Sequence, residues 1–253
     1  LKMINKDEAL NEFKKKFDDF NGYNLLIVGS FDEKELPTLL EKYFASLPNS
    51  EKVISPKPLD LKIPKNIVKK EVVKGVDKKS TVTLIFPYNG AYGEKERILY
   101  NGFSRVLNIA LIEDIREKIG GVYSISSKVS LSPNNFGEDK MIISFSCDTK
   151  RTEELKNAVL KTVSDMLNKD IDQKQIDSII KNYELSYKNE LKENIFWLNY
   201  FYQKSTVNAE YKVPTPEEYA KIMQKKDLME SAKKAINLNN YIDVTLVPEK
   251  ESL

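Results

Sequence analysis

The stretch that decides the fold is residues 115–131, which read IREKIGGVYSISSKVSL. The pair Gly120-Gly121 can end a helix that begins near Glu94, because glycine accepts the left-handed backbone conformation that commonly closes a helix. From Tyr123 onward, apolar residues alternate with serines and Lys128, which is the period of a half-buried strand. The stretch therefore predicts a long helix that turns sharply into a strand.

The same alternation recurs at Met141, Ile143, Phe145 and Cys147, after a segment rich in turn residues. These two strands should form an antiparallel hairpin. Upstream, the β-branched runs 67–74 and 81–86 should also pair with each other as strands. Amphipathic helices follow between residues 155 and 191, the second with Asp172 as its N-cap. Strands and helices thus come in blocks, and we predict an α+β fold whose antiparallel sheet has helices packed on one face.

Four prolines between residues 48 and 66 indicate a Pro-rich linker. Residues 1–47 are predicted to form helix, strand and helix, with the strand at residues 25–28. The two ends of the chain also resemble each other, since Leu10 and Tyr23 match Leu228 and Tyr241 at one constant offset. We therefore expect residues 1–47 to be the tail of a preceding homologous domain, and residues 67–253 to be one complete domain.

Composition excludes several classes of function. The 253 residues contain no histidine and one cysteine, so histidine-based acid–base catalysis and an internal disulfide are both excluded. Forty basic against thirty-eight acidic residues give a formal charge of +2, which does not favour nucleic acid as a partner. No apolar run is long enough for a membrane span. The start at Leu1 suggests a piece of a longer protein.

Arg116 and Tyr123 are the candidate binding residues. They flank the predicted corner, where a guanidinium and a phenol can present hydrogen-bond donors to one carbonyl oxygen or to the oxyanion it becomes. A purely structural interpretation competes with this one. Arginine near a helix C-terminus is favoured by the helix dipole, and tyrosine on the apolar side of a strand is common.

The residues around Arg116 and Tyr123 resemble a known signature. The run 115–118 followed by 120–124 is similar to a sequence in the C-terminal half of the pitrilysin and insulinase family of zinc peptidases. Residues 26–32 and 36–44 resemble that family's strand, glycine and helix before its Pro-rich linker. Residues 194–198 resemble a segment of its bacterial members. Together these stretches cover most of the chain.

The resemblance implies a division of labour between two halves of a peptidase. Family members carry an inverted zinc motif, His-x-x-Glu-His, in the N-terminal half. Arg116 and Tyr123 match the pair that contacts substrate near the scissile carbonyl. Since this chain has no histidine, it departs from the complete pattern and should hold neither zinc nor catalytic residues. We expect a substrate-binding C-terminal half of a zinc endopeptidase, whose partners are an N-terminal catalytic half and a peptide substrate.

Two other functions stay open at this point. The chain could be a non-catalytic companion or scaffold subunit of the same family, or a generic peptide-binding module. The sequence by itself does not fix the compartment, and we expect the bacterial periplasm by resemblance.

Other chemistry-bearing residues have simpler interpretations. Cys147 falls on the apolar side of its strand, which predicts a buried thiol rather than a nucleophile. The aromatic run around Phe196 and Trp197 could line a peptide-binding wall, but its density favours a core position. The carboxylates Glu113, Asp114 and Glu117 are interpreted as a solvated, charge-paired helix face.

Overall fold

The structure is a computed structural model that describes residues 4–50, 64–90, 93–132, 139–207 and 210–249. The chain divides into two compact units. The smaller comprises Leu1–Pro58 and Lys192–Glu210, and the larger comprises Leu59–Leu191 and Tyr211–Leu253. Of the predicted linker 48–66, residues 51–63 lie outside the described residues.

A five-stranded sheet forms the centre of the larger unit. Its strands are β1 (Val68–Val73), β2 (Lys79–Tyr88), β3 (Val122–Ser130), β4 (Asp139–Asp148) and β5 (Ile242–Val247). Their order across the sheet is β1-β5-β2-β4-β3. The predicted hairpin of β3 and β4 is present and antiparallel, and β4 alternates between buried and partly buried residues along its length.

The sheet is mixed, and in this respect the prediction was wrong. The strands β1 and β2 do not pair with each other, because the C-terminal strand β5 lies between them. It runs parallel to β1 and antiparallel to β2. This pairing joins segments far apart in the chain, so no local pattern near residues 67–86 could reveal it.

Helices pack against one face of this sheet, as predicted for an α+β fold. Those that contact the sheet are α3 (Glu94–Leu111), α4 (Thr152–Asn168) and α8 (Lys225–Ala235), and α5 (Gln173–Glu190) and α7 (Pro216–Ile222) pack against α3. The core between the layers contains large, fully buried side chains that include Phe86, Phe103 and Phe145. Asp172 caps α5 as predicted, since its side chain accepts a hydrogen bond from the Lys174 amide. The alternation of residues along each strand thus determines which face the helices cover.

In the described residues, the smaller unit forms the α-helices α1 (Lys6–Lys16), α2 (Glu35–Tyr43) and α6 (Asn194–Tyr202), and a π-helix, Gln203–Val207, follows α6. The strand predicted at residues 25–28 is not formed, and that segment is irregular. A strand needs a neighbour to satisfy its backbone groups, and the described part of this unit contains no strand. The helices expose many large apolar side chains, which include Leu10, Phe13, Phe17, Leu39, Tyr43 and Phe44.

Candidate functional site

The helix that leads into the candidate site changes its winding before it ends. Beyond α3 the chain continues as a π-helix over Ile112–Ile119, which the sequence did not predict. The Gly120 amide closes it by donating to the Ile115 carbonyl at 2.8 Å. Ile115 is fully buried, whereas the adjacent Arg116 side chain is 57% exposed. The π-helix therefore ends with an arginine directed to solvent beside an apolar anchor, and such segments are frequent at functional sites.

The corner itself is made by two glycines with positive φ. Gly120 has φ 70° and Gly121 has φ 90°, a region that other residues enter only at a cost. The prediction that glycine provides the helix end is confirmed. The chain then reverses into β3, whose first residue is Val122.

Tyr123 is the extra residue of a β-bulge at the start of β3. Val122 lies opposite Cys147, and Ser124 lies opposite Ser146, so two steps on β3 correspond to one on β4. Tyr123 is 65% exposed, whereas Val122 and Ile125 on either side are buried. The expectation that Tyr123 lies on the apolar side of the strand was therefore wrong. A bulge shifts the alternation by one residue and redirects a side chain.

Charges around Arg116 are paired but solvated. Its guanidinium makes a long ion pair with Glu117, in which Nε and Oε1 are 3.8 Å apart. Lys118 Nζ lies 2.7 Å from Asp114 Oδ1, and this hydrogen bond raises the pKa of Lys118. Long or exposed pairs of this kind contribute little to stability. The interpretation of these carboxylates as a charge-paired surface is confirmed, and the Arg116 guanidinium is accessible to a ligand.

A second arginine, which sequence reasoning missed, touches the corner. Arg151 donates from Nη1 to the Gly120 carbonyl at 3.2 Å. Its position cannot be inferred locally, because Arg151 lies in a short 3₁₀ turn, Thr149–Arg151, that follows β4. Only the pairing of β3 with β4 brings this turn next to Gly120.

Other residues singled out in the sequence do not join this site. Cys147 is buried, as predicted, and burial raises the pKa of its thiol. The aromatic helix α6 contains no fully buried residue, so the preference for a core position was wrong, and Phe201 and Tyr202 are exposed.

Zinc does not fit the residues of this chain. Zinc in proteins is held by cysteine thiolates, histidine nitrogens and carboxylates, usually by three or four of them. The chain has no histidine and one cysteine, which is buried. Within the described ranges, no group of three or more potential ligand side chains is placed to hold a metal ion.

Comparison with protein families gives a match that covers most of the chain. Residues 6–183 match the family model described as the peptidase M16 inactive domain. The chain belongs to this family. The resemblance of residues 115–124 to insulinase-type peptidases is thereby confirmed at the level of the family.

Relatives of this M16 domain include a probable zinc protease and solved proteases. The chain is 22% identical over 174 residues to the "probable zinc protease PqqL" of Haemophilus influenzae, which covers 67% of this chain and 18% of that protein. The periplasmic protease PqqL of Escherichia coli superimposes with a TM-score of 0.67 at 18% identity, over 87% of this chain and 25% of that one.

A protease from Helicobacter pylori gives a TM-score of 0.71 at 18% identity, over 87% of this chain and 54% of that one. At these identities the structures show a shared fold alone. This M16 domain spans less than a fifth of the curated relative and a quarter to a half of the solved chains. Within the described residues, no helix has the length and apolar character that crossing a bilayer requires.

Proposed function

We propose that this chain is the substrate-binding, non-catalytic part of a zinc endopeptidase, in which Arg116 and Tyr123 contact the peptide. The observation that carries the proposal is the exposure of Tyr123 on a β-bulge, two residues beyond a corner formed by two glycines. Burying that ring would be favourable for stability alone. A bulge that instead exposes it is typical of a strand shaped for binding.

The two side chains offer complementary donors to a peptide backbone. The guanidinium of Arg116 is a fixed fork of N–H groups, and the Tyr123 hydroxyl is a single donor. Both are more than half exposed, so neither must leave a buried partner in order to bind. Donors fixed near a reacting carbonyl stabilise the negative charge that develops on its oxygen. This chain's role is therefore to hold and orient the peptide.

The proposal assigns zinc and the catalytic residues to another part of the full-length protein. The family membership and the probable zinc protease among the relatives support this assignment, and so does the lack of histidine in this chain. Residues 1–47 are the tail of the preceding domain in this proposal. The exposed apolar side chains of α1 and α2 support it, since a tail without its own sheet leaves such surface uncovered.

The test is the variant Tyr123→Phe in the full-length protein, with short internally quenched peptides as substrates. Loss of one donor to the oxyanion should lower kcat by about a hundredfold, with no change in the thermal unfolding of the protein. Tyr187→Phe is the control, because Tyr187 is partly exposed and lies on α5 of the same unit rather than at the corner. Unchanged turnover of Tyr123→Phe would remove Tyr123 from the site.

A companion subunit is the second candidate, and the lack of any histidine in 253 residues favours it as much as a single-chain peptidase. The sequence upstream in the same polypeptide distinguishes the two candidates. A His-x-x-Glu-His motif there supports the single-chain enzyme, and its absence supports a partner chain that carries the metal. In either case we propose the bacterial periplasm as the compartment, on the strength of the periplasmic relative from Escherichia coli.

A further inference from the structure

We propose that Arg151 is a positioning residue for the candidate site, which fixes the Gly120-Gly121 corner and through it the hydroxyl of Tyr123. This inference rests on the proposed function, because it assigns Arg151 a role in presenting Tyr123 to a peptide. Nothing in the local sequence around Arg151 indicates such a role, and the evidence for it is geometric.

The topology of the sheet brings Arg151 to the corner. Strand β4 ends at Asp148, and the residue before it, Cys147, lies opposite Val122 at the start of β3. The Asp148 carboxylate accepts a hydrogen bond from the Lys150 amide at 2.8 Å, which shapes the 3₁₀ turn that follows β4. Arg151, the last residue of this turn, therefore lies next to the residues that immediately precede Val122.

The guanidinium of Arg151 is itself held in place. Its Nε donates to Glu154 Oε2 at 2.9 Å and its Nη2 donates to Glu154 Oε1 at 2.5 Å, which is a bidentate pair. The remaining Nη1 donates to the Gly120 carbonyl. All three nitrogens of the fork are thus in use, and lysine could not reproduce this arrangement with one ammonium group.

The same guanidinium lies directly against Gly121. A Cβ atom built on Gly121 would collide with Nη1 of Arg151. A side chain at position 121 would therefore displace this guanidinium, so Gly121 permits the contact with Arg151 as well as the positive φ. Arg151 thus contacts both glycines of the corner, as expected of a residue that fixes the backbone before Tyr123.

Tyr123 needs such a support because of its place in the strand. As the extra residue of the bulge, it lies where the ladder of β3 and β4 is disrupted, so strand pairing alone does not fix its backbone. The residues before it are Val122, Gly121 and Gly120. By holding the Gly120 carbonyl, Arg151 restrains the segment that leads into the bulge.

The experiment uses the full-length protein and the quenched peptides that the wild type cleaves. Arg151→Met keeps the aliphatic stem and removes all donors. It should lower kcat by roughly tenfold, since small displacements of a positioned group cost about that much or more, with a change in KM below about twofold. Arg151→Lys should recover only part of the loss. Glu154→Gln, which leaves the arginine but weakens its anchor, should give a smaller loss in the same direction.

Lys95→Met is the matched control, because Lys95 also forms an ion pair, with Asp227 at 2.9 Å, but lies at the start of α3, the end of that helix opposite to the corner. This variant should turn over peptide like the wild type. Equal losses in Lys95→Met and Arg151→Met would mean a general effect of removing a paired cation and would overturn the inference.

A double-mutant cycle with Tyr123→Phe separates this inference from the proposed function. If Arg151 acts through the Tyr123 hydroxyl, then Arg151→Met should cost less than about twofold in kcat when that hydroxyl is already absent. Independent, multiplying losses would overturn the inference and leave the proposed function intact. A hundredfold loss of kcat in Tyr123→Phe with no loss of kcat in Arg151→Met would likewise overturn the inference and leave the proposed function intact. An unchanged kcat in Tyr123→Phe itself would overturn the proposed function, and the inference with it.

Discussion

Tyr123 differs from its neighbours because one additional residue is inserted at the start of β3. Without the bulge, the alternation that buries Ile125 would also bury Tyr123. With it, Val122 takes the inward position opposite Cys147, and the phenol is exposed. The bulge therefore determines that the side chain at position 123 is exposed, and tyrosine at that position provides a hydroxyl group.

The fit between Gly121 and Arg151 can be measured with two glycine substitutions. Gly121 and Gly75 have nearly the same φ, 90° and 89°, but an added Cβ meets Arg151 at Gly121 and nothing within 4 Å at Gly75. Gly75→Ala should lower the free energy of unfolding by about 1 kcal/mol, from φ alone. Gly121→Ala should lower it by up to about 1 kcal/mol more, because the guanidinium must move and its hydrogen bond to the Gly120 carbonyl is lost.

Denaturant unfolding of the 253-residue chain measures both effects. The double variant Gly121→Ala with Arg151→Ala should return the loss to the level of Gly75→Ala. Equal losses in the two single variants would show that Arg151 does not restrict the space at Gly121.

At the level of elements, a buried ion pair joins helix α4 to strand β5. Lys156 Nζ lies 2.8 Å from Asp243 Oδ2, and the two side chains are only 6% and 2% exposed. Asp243 also accepts a hydrogen bond from Thr245 at 2.9 Å. Since β5 lies between β1 and β2, this pair is placed to fix the strand that completes the sheet.

Lys156→Met should therefore destabilise the chain strongly, by about 3–5 kcal/mol, because it leaves a buried carboxylate without its cation. Adding Asp243→Asn should recover a large part of that loss, since the uncompensated charge is then removed. Urea unfolding of the two variants provides the measurement, and Lys161→Met, which breaks an exposed pair on the same helix, should cost little. A mild effect of Lys156→Met would mean that the pair is not buried in solution.

Helices α5 and α7 are joined by tyrosines. The Tyr183 ring stacks on Tyr219 with centroids 4.0 Å apart, and its hydroxyl donates to the Pro214 carbonyl at 2.7 Å. Partial burial raises the pKa of Tyr183 above its ordinary value. The protonated phenol is therefore favoured in the folded state.

The stability that Tyr183 contributes should be complete below about pH 10, the ordinary value for a tyrosine, and should be lost as pH rises toward its higher folded value. Free energies of unfolding measured between neutral pH and pH 11 should fall for the wild type. The fall should be shallower for Tyr183→Phe, which cannot ionise. Parallel profiles would show that this phenol does not contribute to alkaline destabilisation.

At the scale of the whole molecule, the two units differ in how much apolar surface they bury. The larger has a core of fully buried side chains, whereas helices α1, α2 and α6 of the smaller contain no buried residue. Exposed apolar side chains are numerous there, and they extend from Leu10 to Phe44 and from Ile195 to Tyr202. Surface of this kind is typical of a segment that packs against another protein part.

The 253-residue chain should consequently bind the dye ANS and associate with itself. The full-length protein should bind less ANS per mole and associate less. ANS fluorescence and light scattering at equal molar concentration test this expectation. Phe13→Ser with Phe17→Ser, which removes a stacked pair on the surface of α1, should reduce both signals in the chain. A monomeric chain that binds no ANS would contradict residues 1–47 being the tail of another domain.

The sequence alone determined the class of fold, the hairpin of β3 and β4, the glycine corner and the buried state of Cys147. These features follow from periods of two or 3.6 and from glycine's freedom at positive φ, which are properties of neighbouring residues. The sequence also indicated the family, because residues 115–124 resemble a signature of insulinase-type peptidases. The lack of histidine excluded the family's His-x-x-Glu-His motif from this chain without any coordinates.

Tertiary structure alone decided the place of β5 between β1 and β2, the irregular state of residues 25–28, the exposure of Tyr123 and the contact of Arg151 with Gly120 and Gly121. Each depends on a segment distant in the chain, or on whether a partner strand is present. Strand pairing is non-local, and a shift of one residue exchanges the two faces of a strand. Local patterns therefore predicted which segments form elements, but their neighbours in space determined which side chains face solvent.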